Sequence, residues 1–332
     1  MKRALVLSGG GANGAFQYGA LKYIETEIKP KIPDFNYDVI AGVSVGAINA
    51  VMVAMHKFRG LDKIWNSPNL EKLIYRGKLE VFQLMRRLLS QERSILDNTP
   101  LFNLLQRYVR LSDIYTQEHK LKIGAVSLCS GNYVSLGPEQ FDADVEFQKA
   151  ILASTAIPIL WNPVDEIRTK DGIIKDLVDG SIRDNSPLGH VIQYHPDEVI
   201  IINCSSPKTP LEFEAEPAKS MFSIARRALV DIAIDEIFIN DLREFLTIND
   251  LVGQAKAQMP DIRLYRNHFV TGKRVELKQF QTILIEPDEN LGNILDFRAE
   301  QIQWRIEEGY QAARKAFAHY QNKNVSGFFS SR

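Results

Sequence analysis

The chain has 332 residues, a formal net charge of −1 and two cysteines. That length can bury a sizeable core, the near-neutral charge offers no global field to recruit nucleic acid, and Cys129 and Cys204 are too few for a disulfide framework. The cysteines read as buried free thiols in a reducing, cytoplasmic setting.

In chain order, Arg3–Leu7 is a short apolar run bounded by glycines and predicts a buried strand. It breaks at Ser8-Gly9-Gly10-Gly11, too early for an export signal. Ala15–Ile28 follows with apolar residues at helical spacing. Strand, glycine loop and helix make an arrangement that binds an oxyanion or a phosphate, because exposed N–H groups converge at the helix start. Gly9-x-Gly11-x-x-Gly14 also has the form of the dinucleotide fingerprint. That alternative needs an acidic residue at the end of the second strand, whereas Asp38 precedes that strand.

Val39–Ala50 carries Gly42-Val43-Ser44-Val45-Gly46, a G-x-S-x-G pattern at a predicted strand-to-helix turn. Such a turn strains the serine backbone and pushes its hydroxyl outward. The helix N-terminus beneath it favours an anion nearby. Val39–Met55 is the longest apolar stretch, but it falls short of the about 20 residues a membrane span needs.

Residues 57–112 interrupt the alternation with helical stripes, one at Val81, Phe82, Met85, Leu88 and Leu89, another at Leu101, Leu104, Leu105 and Tyr108. Between Lys57 and Arg93 stand nine Lys/Arg against four Asp/Glu. The segment reads either as a basic cap that meets a membrane surface or as an ordinary solvated insertion. Lys120–Leu128, Tyr133–Leu136, Ile173–Val178, Val199–Asn203 and Gln281–Ile285 predict further strands. Val145–Ala153, Lys219–Asp250 and Ala299–Tyr320 predict helices, the second with Arg226, Arg227, Asp231, Asp235 and Glu236 placed for i,i+4 pairs. Glu212–Lys219, which contains Pro217, reads as a loop. The fold class is α/β: three α/β/α layers around a mainly parallel sheet, with a helical insertion. Residues 1–325 are expected to form one domain, with the insertion at about 57–112, a C-terminal helical portion at about 219–320, and a tail at 326–332.

Four pieces stand in order: the Gly-rich loop, the serine turn, Ala153-Ser154-x-Ala156-x-Pro158 with Pro163-Val164, and Asp179-Gly180-Ser181 with Asn185 and Pro187. Together they resemble the patatin-like phospholipases, particularly the bacterial ones. Leu295-Asp296-Phe297 and Glu308-Gly309-Tyr310 extend the likeness. The resemblance implies a Ser–Asp dyad acyl hydrolase of lipid esters, without cofactor or metal and without nucleic acid. In it Ser44 is the nucleophile, Asp179 its base, and Gly9, Gly10 and Gly11 the oxyanion hole, with Gly14, Gly42, Gly46 and Gly180 supporting the turns. Apart from the resemblance, the reading of no export signal and no span gives the expectation of a cytoplasmic protein, and the basic segment that of peripheral contact at a membrane surface.

Two positions depart from the family pattern. Asn13 stands where Arg or Lys is usual, and Ser181 where Gly or Ala is. The first keeps a second reading open, a weak or inactive relative that binds a lipid or a partner. A Ser–His–Asp triad is formally available, since His190, His195, His268 and His319 follow Asp179, though none lies in a triad-like loop. Asp176 and Asp184 compete locally with Asp179, but only Asp179 precedes glycine at a strand end.

Overall fold

The computed structural model describes residues 1–77, 93–115, 118–205, 224, 234–267, 272 and 274–329. Among these, the strands are β1 Arg3–Leu7, β2 Val39–Val43, β3 Lys120–Ser127, β4 Tyr133–Leu136, β5 Val164–Thr169, β6 Gly172–Asp179, β7 Glu198–Ile202, β8 Leu264–Asn267, β9 Arg274–Leu277 and β10 Gln281–Ile285. The helices are α1 Gly14–Tyr23, α2 Val45–Ala54, α3 Phe58–Trp65, α4 Leu70–Ile74, α5 Thr99–Tyr108, α6 Leu111–Tyr115, α7 Asp144–Ser154, α8 Gly189–Ile192, α9 Ile234–Gln258 and α10 Ala299–Phe329.

The main sheet runs β10-β7-β1-β2-β3-β6-β5, with β4 attached to β3. From β10 to β3 all pairings are parallel. The sheet turns antiparallel at β4, β6 and β5. The parallel strands β1, β2 and β7 are buried along their whole length, as strands covered on both faces must be. Leu5, Leu7, Ile40, Ile200 and Ile202 enter the core beneath α1, α2 and α10. Ala4, Val6, Val39, Ala41, Val199 and Ile201 point the other way, against Leu188, Val191 and Leu242. Burying each large aliphatic side chain contributes about 1.5–3 kcal/mol, and the period of two supplies both faces from the same strands.

Helix α10 lies across α1 with the backbones in direct contact. A Cβ placed on Gly19 would stand 1.9 Å from the Ile306 carbonyl oxygen, and one on Gly309 would stand 1.9 Å from that of Phe16. The two glycines are reciprocal: each helix gives up a side chain where the other passes.

Three features depart from the sequence reading. Strand β5, with its charged Val-Asp-Glu-Ile-Arg-Thr run, was not expected; it is an edge strand with only Ile167 fully buried, and its pairing with β6 holds it. The hairpin β8–β9 is a separate polar ribbon. Helix α10 continues to Phe329, through most of the stretch read as a tail, and α9 runs to Gln258 rather than Asp250. The Val81–Leu89 stripe, the Glu212–Lys219 loop, the pairing residues Arg226, Arg227 and Asp231, and His268 lie outside the described residues. No helix among the described residues is long and apolar enough to cross a membrane.

Candidate active site

Strand β2 runs straight into Ser44, whose backbone sits at φ 55°, ψ −129°, and α2 begins at the next residue. A non-glycine residue held there stores about 1–3 kcal/mol of strain. Packing around the turn enforces it. A Cβ on Gly42 would stand 2.2 Å from the Gly46 carbonyl oxygen, and one on Gly46 would stand 2.3 Å from that of Leu7. The Ser44 N–H donates to the Ser154 hydroxyl, 3.0 Å away at the last residue of α7.

Sheet register brings Asp179 to the same level. Val43 pairs with Gly124 of β3, and the next β3 residue, Ala125, pairs with Asp179. Asp179 is fully buried, and its N–H donates to the Ala156 carbonyl at 2.9 Å. Its Oδ1 accepts the Ser181 N–H at 2.8 Å. Burial pushes its carboxyl up to about 6, against the opposing pull of the Ser44 and Ser181 hydroxyls. Oδ2 makes no well-formed hydrogen bond at rest. A carboxylate kept dry and only partly satisfied is a stronger base than an exposed one.

The glycine loop closes the third side. The Gly9 N–H is already taken: it donates to Asn185 Oδ1 at 3.0 Å and to the Asn185 carbonyl at 3.3 Å. The Ala12 N–H donates to the Ile294 carbonyl at 2.7 Å. Between them, the N–H groups of Gly10 and Gly11 meet no acceptor among the described residues. Of the three N–H groups expected to hold an oxyanion, that of Gly9 thus donates to Asn185 in this structure. Gly11 has φ 54°, and a Cβ there would stand 2.4 Å from the Ile294 oxygen, so no other residue fits. Asn13, which replaces the family's usual cation, is buried with its Oδ1 unpartnered.

Ser44 and Gly11 open onto an apolar cavity of about 50 Å³, walled by Ile48, Trp65, Leu104, Trp161 and Phe297 among others. Helices α3, α4 and α5 of the insertion supply one wall. The glycine loop faces this serine rather than an acidic strand end, so the dinucleotide alternative finds no ribose partner.

The rival residues lie elsewhere. Asp176 sits at the surface with Arg93 and Cys129. His190 stacks on Tyr133 at 5.1 Å and faces Asp184, its Nε2 3.9 Å from Oδ2. Burial raises Asp184 to about 7, with Asp241 adding repulsion. Among the described residues no histidine side chain hydrogen-bonds to Ser44 or Asp179. The roles of Ser154 and Asn185, as clamps on Ser44 and Gly9, are not legible from spacing; their presence in the motif stretches is the only signal.

The mixed sheet, the strained serine turn and the glycine loop define an α/β hydrolytic scaffold. The chain belongs to the patatin-like phospholipase family, a class of lipid-hydrolysing enzymes: the family model matches residues 5–192, more than half of the chain. No curated protein sequence matches it. Among solved structures it is similar to VipD from Legionella pneumophila, at 12% identity and a TM-score of 0.46, over 96% of this chain and 67% of that one. It is also similar to the type III effector protein ExoU, at 14% identity and a TM-score of 0.36, over 96% and 53%. A third is human GIVD cytosolic phospholipase A2 in complex with a methyl gamma-linolenyl fluorophosphonate inhibitor and terbium chloride, at 12% identity and a TM-score of 0.38, over 96% and 60%. The chain thus spans between about half and two thirds of the length of these structures.

Proposed function

We propose that this chain is a serine acyl hydrolase that cleaves acyl esters of lipids through Ser44 and Asp179. The observation that carries the reading is the meeting of a strained serine and a buried carboxylate of pKa about 6 at the head of an apolar cavity. Ser44 Oγ attacks the ester carbonyl while its proton passes to Asp179. The carbonyl oxygen becomes an oxyanion against the Gly10 and Gly11 N–H groups, beside the N-terminus of α2. Collapse breaks the ester C–O bond, and Asp179 returns the proton to the leaving alcohol. Water then attacks the acyl-serine, giving its proton to Asp179, and the proton goes back to Ser44 Oγ as the fatty acid leaves.

A serine–carboxylate pair lacks the basicity of an imidazole. Two preorganised donors offset this, since one such donor is typically worth about 3–4 kcal/mol of barrier. The cavity takes the acyl chain, and its lack of polar walls suits a hydrocarbon rather than a head group. The test is hydrolysis of a lipid panel by wild type beside Ser44→Ala, with fluorophosphonate labelling of both. Wild type turns over and labels. Folded Ser44→Ala loses both, by orders of magnitude. Full activity in folded Ser44→Ala overturns the reading.

A further inference from the structure

The family match ends at residue 192, yet the loop that would hold the oxyanion is braced from residues 291–305. Arg305 lies on α10 and is completely buried. Among the described residues its guanidinium forms no ion pair with a carboxylate at salt-bridge distance. It gathers three main-chain carbonyls of one loop instead: Nε donates to Leu291 at 2.9 Å, Nη1 to Asp296 at 2.6 Å and Nη2 to Asn293 at 3.0 Å. A fork of fixed shape that engages three carbonyls sets the path of the chain between them. That chain contains Ile294, whose carbonyl receives the Ala12 N–H and lies against Gly11. The neighbouring residue on α10, Ile306, is the one that meets Gly19 of α1. Helix α10 thus grips the glycine loop at Ala12 and the helix that follows it.

The charge matters as well as the shape. Burial lowers the Arg305 guanidinium to about 10, opposed by Asp296, so it stays protonated at neutral pH. Its field reaches Cys204, and the Cys204 side chain lies directly against Gly10, where an added Cβ would come within 2.6 Å of Cys204 Cβ. A buried cation therefore stands behind the loop whose own fifth position, Asn13, carries none.

We propose that Arg305 is a positioning residue for the oxyanion loop: by fixing the 291–296 carbonyls it anchors Ala12 through Ile294 and so aims the Gly10 and Gly11 N–H groups at the oxygen that develops charge beside Ser44. This rests on Ser44 as the nucleophile. Arg305 touches no reacting atom, so its loss lowers the rate of the chemical step and leaves substrate affinity and the titration of Asp179 unchanged.

The experiment compares wild type, Arg305→Gln and Arg305→Lys on a soluble p-nitrophenyl ester, with kcat expressed per Ser44 titrated to completion by a fluorophosphonate. That normalisation removes any misfolded fraction. Arg305→Gln is expected to lose tenfold to a hundredfold in kcat, with KM within threefold and the pH midpoint near 6 retained. Arg305→Lys, which keeps the charge but not the fork, falls between. Ala12→Pro removes the N–H that Ile294 receives without touching the buried cation, and it gives the same loss; it carries the test if Arg305→Gln does not fold. Wild-type kcat per titrated serine in folded Arg305→Gln or Ala12→Pro overturns the proposal, as does a loss confined to KM. A wild-type protein that neither turns over nor labels overturns the hydrolase reading itself, a result distinct from these.

Discussion

The N–H of Ser44 donates to the hydroxyl of Ser154 at 3.0 Å, so the turn that presents one serine is held by another 110 residues away. Ser154 is fully buried and closes α7. The strained backbone of Ser44 is thus fixed from the end of α7 as well as by the glycines of its own turn. Strain of this kind persists only where the surroundings over-determine it.

Ser154→Ala leaves the buried Ser44 N–H without an acceptor. Such a group costs about 1–3 kcal/mol. Urea denaturation should register a loss of that size, and ester hydrolysis should fall with it, as the turn relaxes. Ser154→Thr keeps the hydroxyl and should retain more of both. Equal stability in Ser154→Ala and wild type would remove the clamp from the account.

Asp179 makes a prediction with a definite sign. Its folded pKa of about 6 lies above the unfolded value near 3.9. Between these two values the native state binds more protons than the unfolded one, so stability falls as pH rises from about 4 to about 6 and is flat above. Two units correspond to about 3 kcal/mol. Asp179→Asn, neutral at all pH, should therefore be inactive yet more stable than wild type by about that amount at pH 8, with the gap closing towards pH 4. In wild type, kcat should rise through pH 6 as the base ionises. A stability difference independent of pH would contradict this.

With the acyl chain in the cavity, as proposed, the cavity wall would set chain length. Leu104 lines it from α5 of the insertion. Leu104→Trp should cut hydrolysis of long-chain esters at least tenfold while a butyrate ester is cleaved at close to the wild-type rate. Uniform loss on both esters would place the acyl chain elsewhere.

The basic excess between Lys57 and Arg93 carries a separate expectation. Each basic residue near an anionic lipid surface contributes about 1 kcal/mol within a Debye length. Arg86→Glu with Arg87→Glu should weaken co-sedimentation with phosphatidylserine vesicles, as added salt does, and leave hydrolysis of a soluble ester intact. Undiminished vesicle binding at low salt would leave the segment without a docking role.

The parts of this molecule that are legible in the sequence are those with a period or a local turn. Arg3–Leu7, Val39–Val43 and Val199–Ile202 declare themselves because strands buried on both faces must be apolar throughout. The serine turn and the glycine loop are legible because each compresses its geometry into a few adjacent residues. Strand β5 is not, since an edge strand with one wet face can be charged. The spent N–H of Gly9 is not, because Asn185 reaches it from 176 residues away. Arg305 is hidden for a third reason. On a helix rich in Glu, Lys and Arg it has the look of a solvated residue, and only the loop folded over it makes it internal.

Strand β1 lies inside the sheet between β7 and β2, yet its partner β7 is separated from it by most of the chain: Arg3 meets Glu198 across 195 residues. Long-range pairing of this kind slows folding, and synthesis proceeds from the N-terminal side. A chain emerging from the ribosome carries the residues of the serine turn long before β7 is available and longer still before α10 can cross α1 at Gly19 and Gly309. The glycine loop has no anchor at Ala12 until then. On the proposed reading, the loop that holds the oxyanion is thus the last part of the site to be braced, by the order in which the parts arrive.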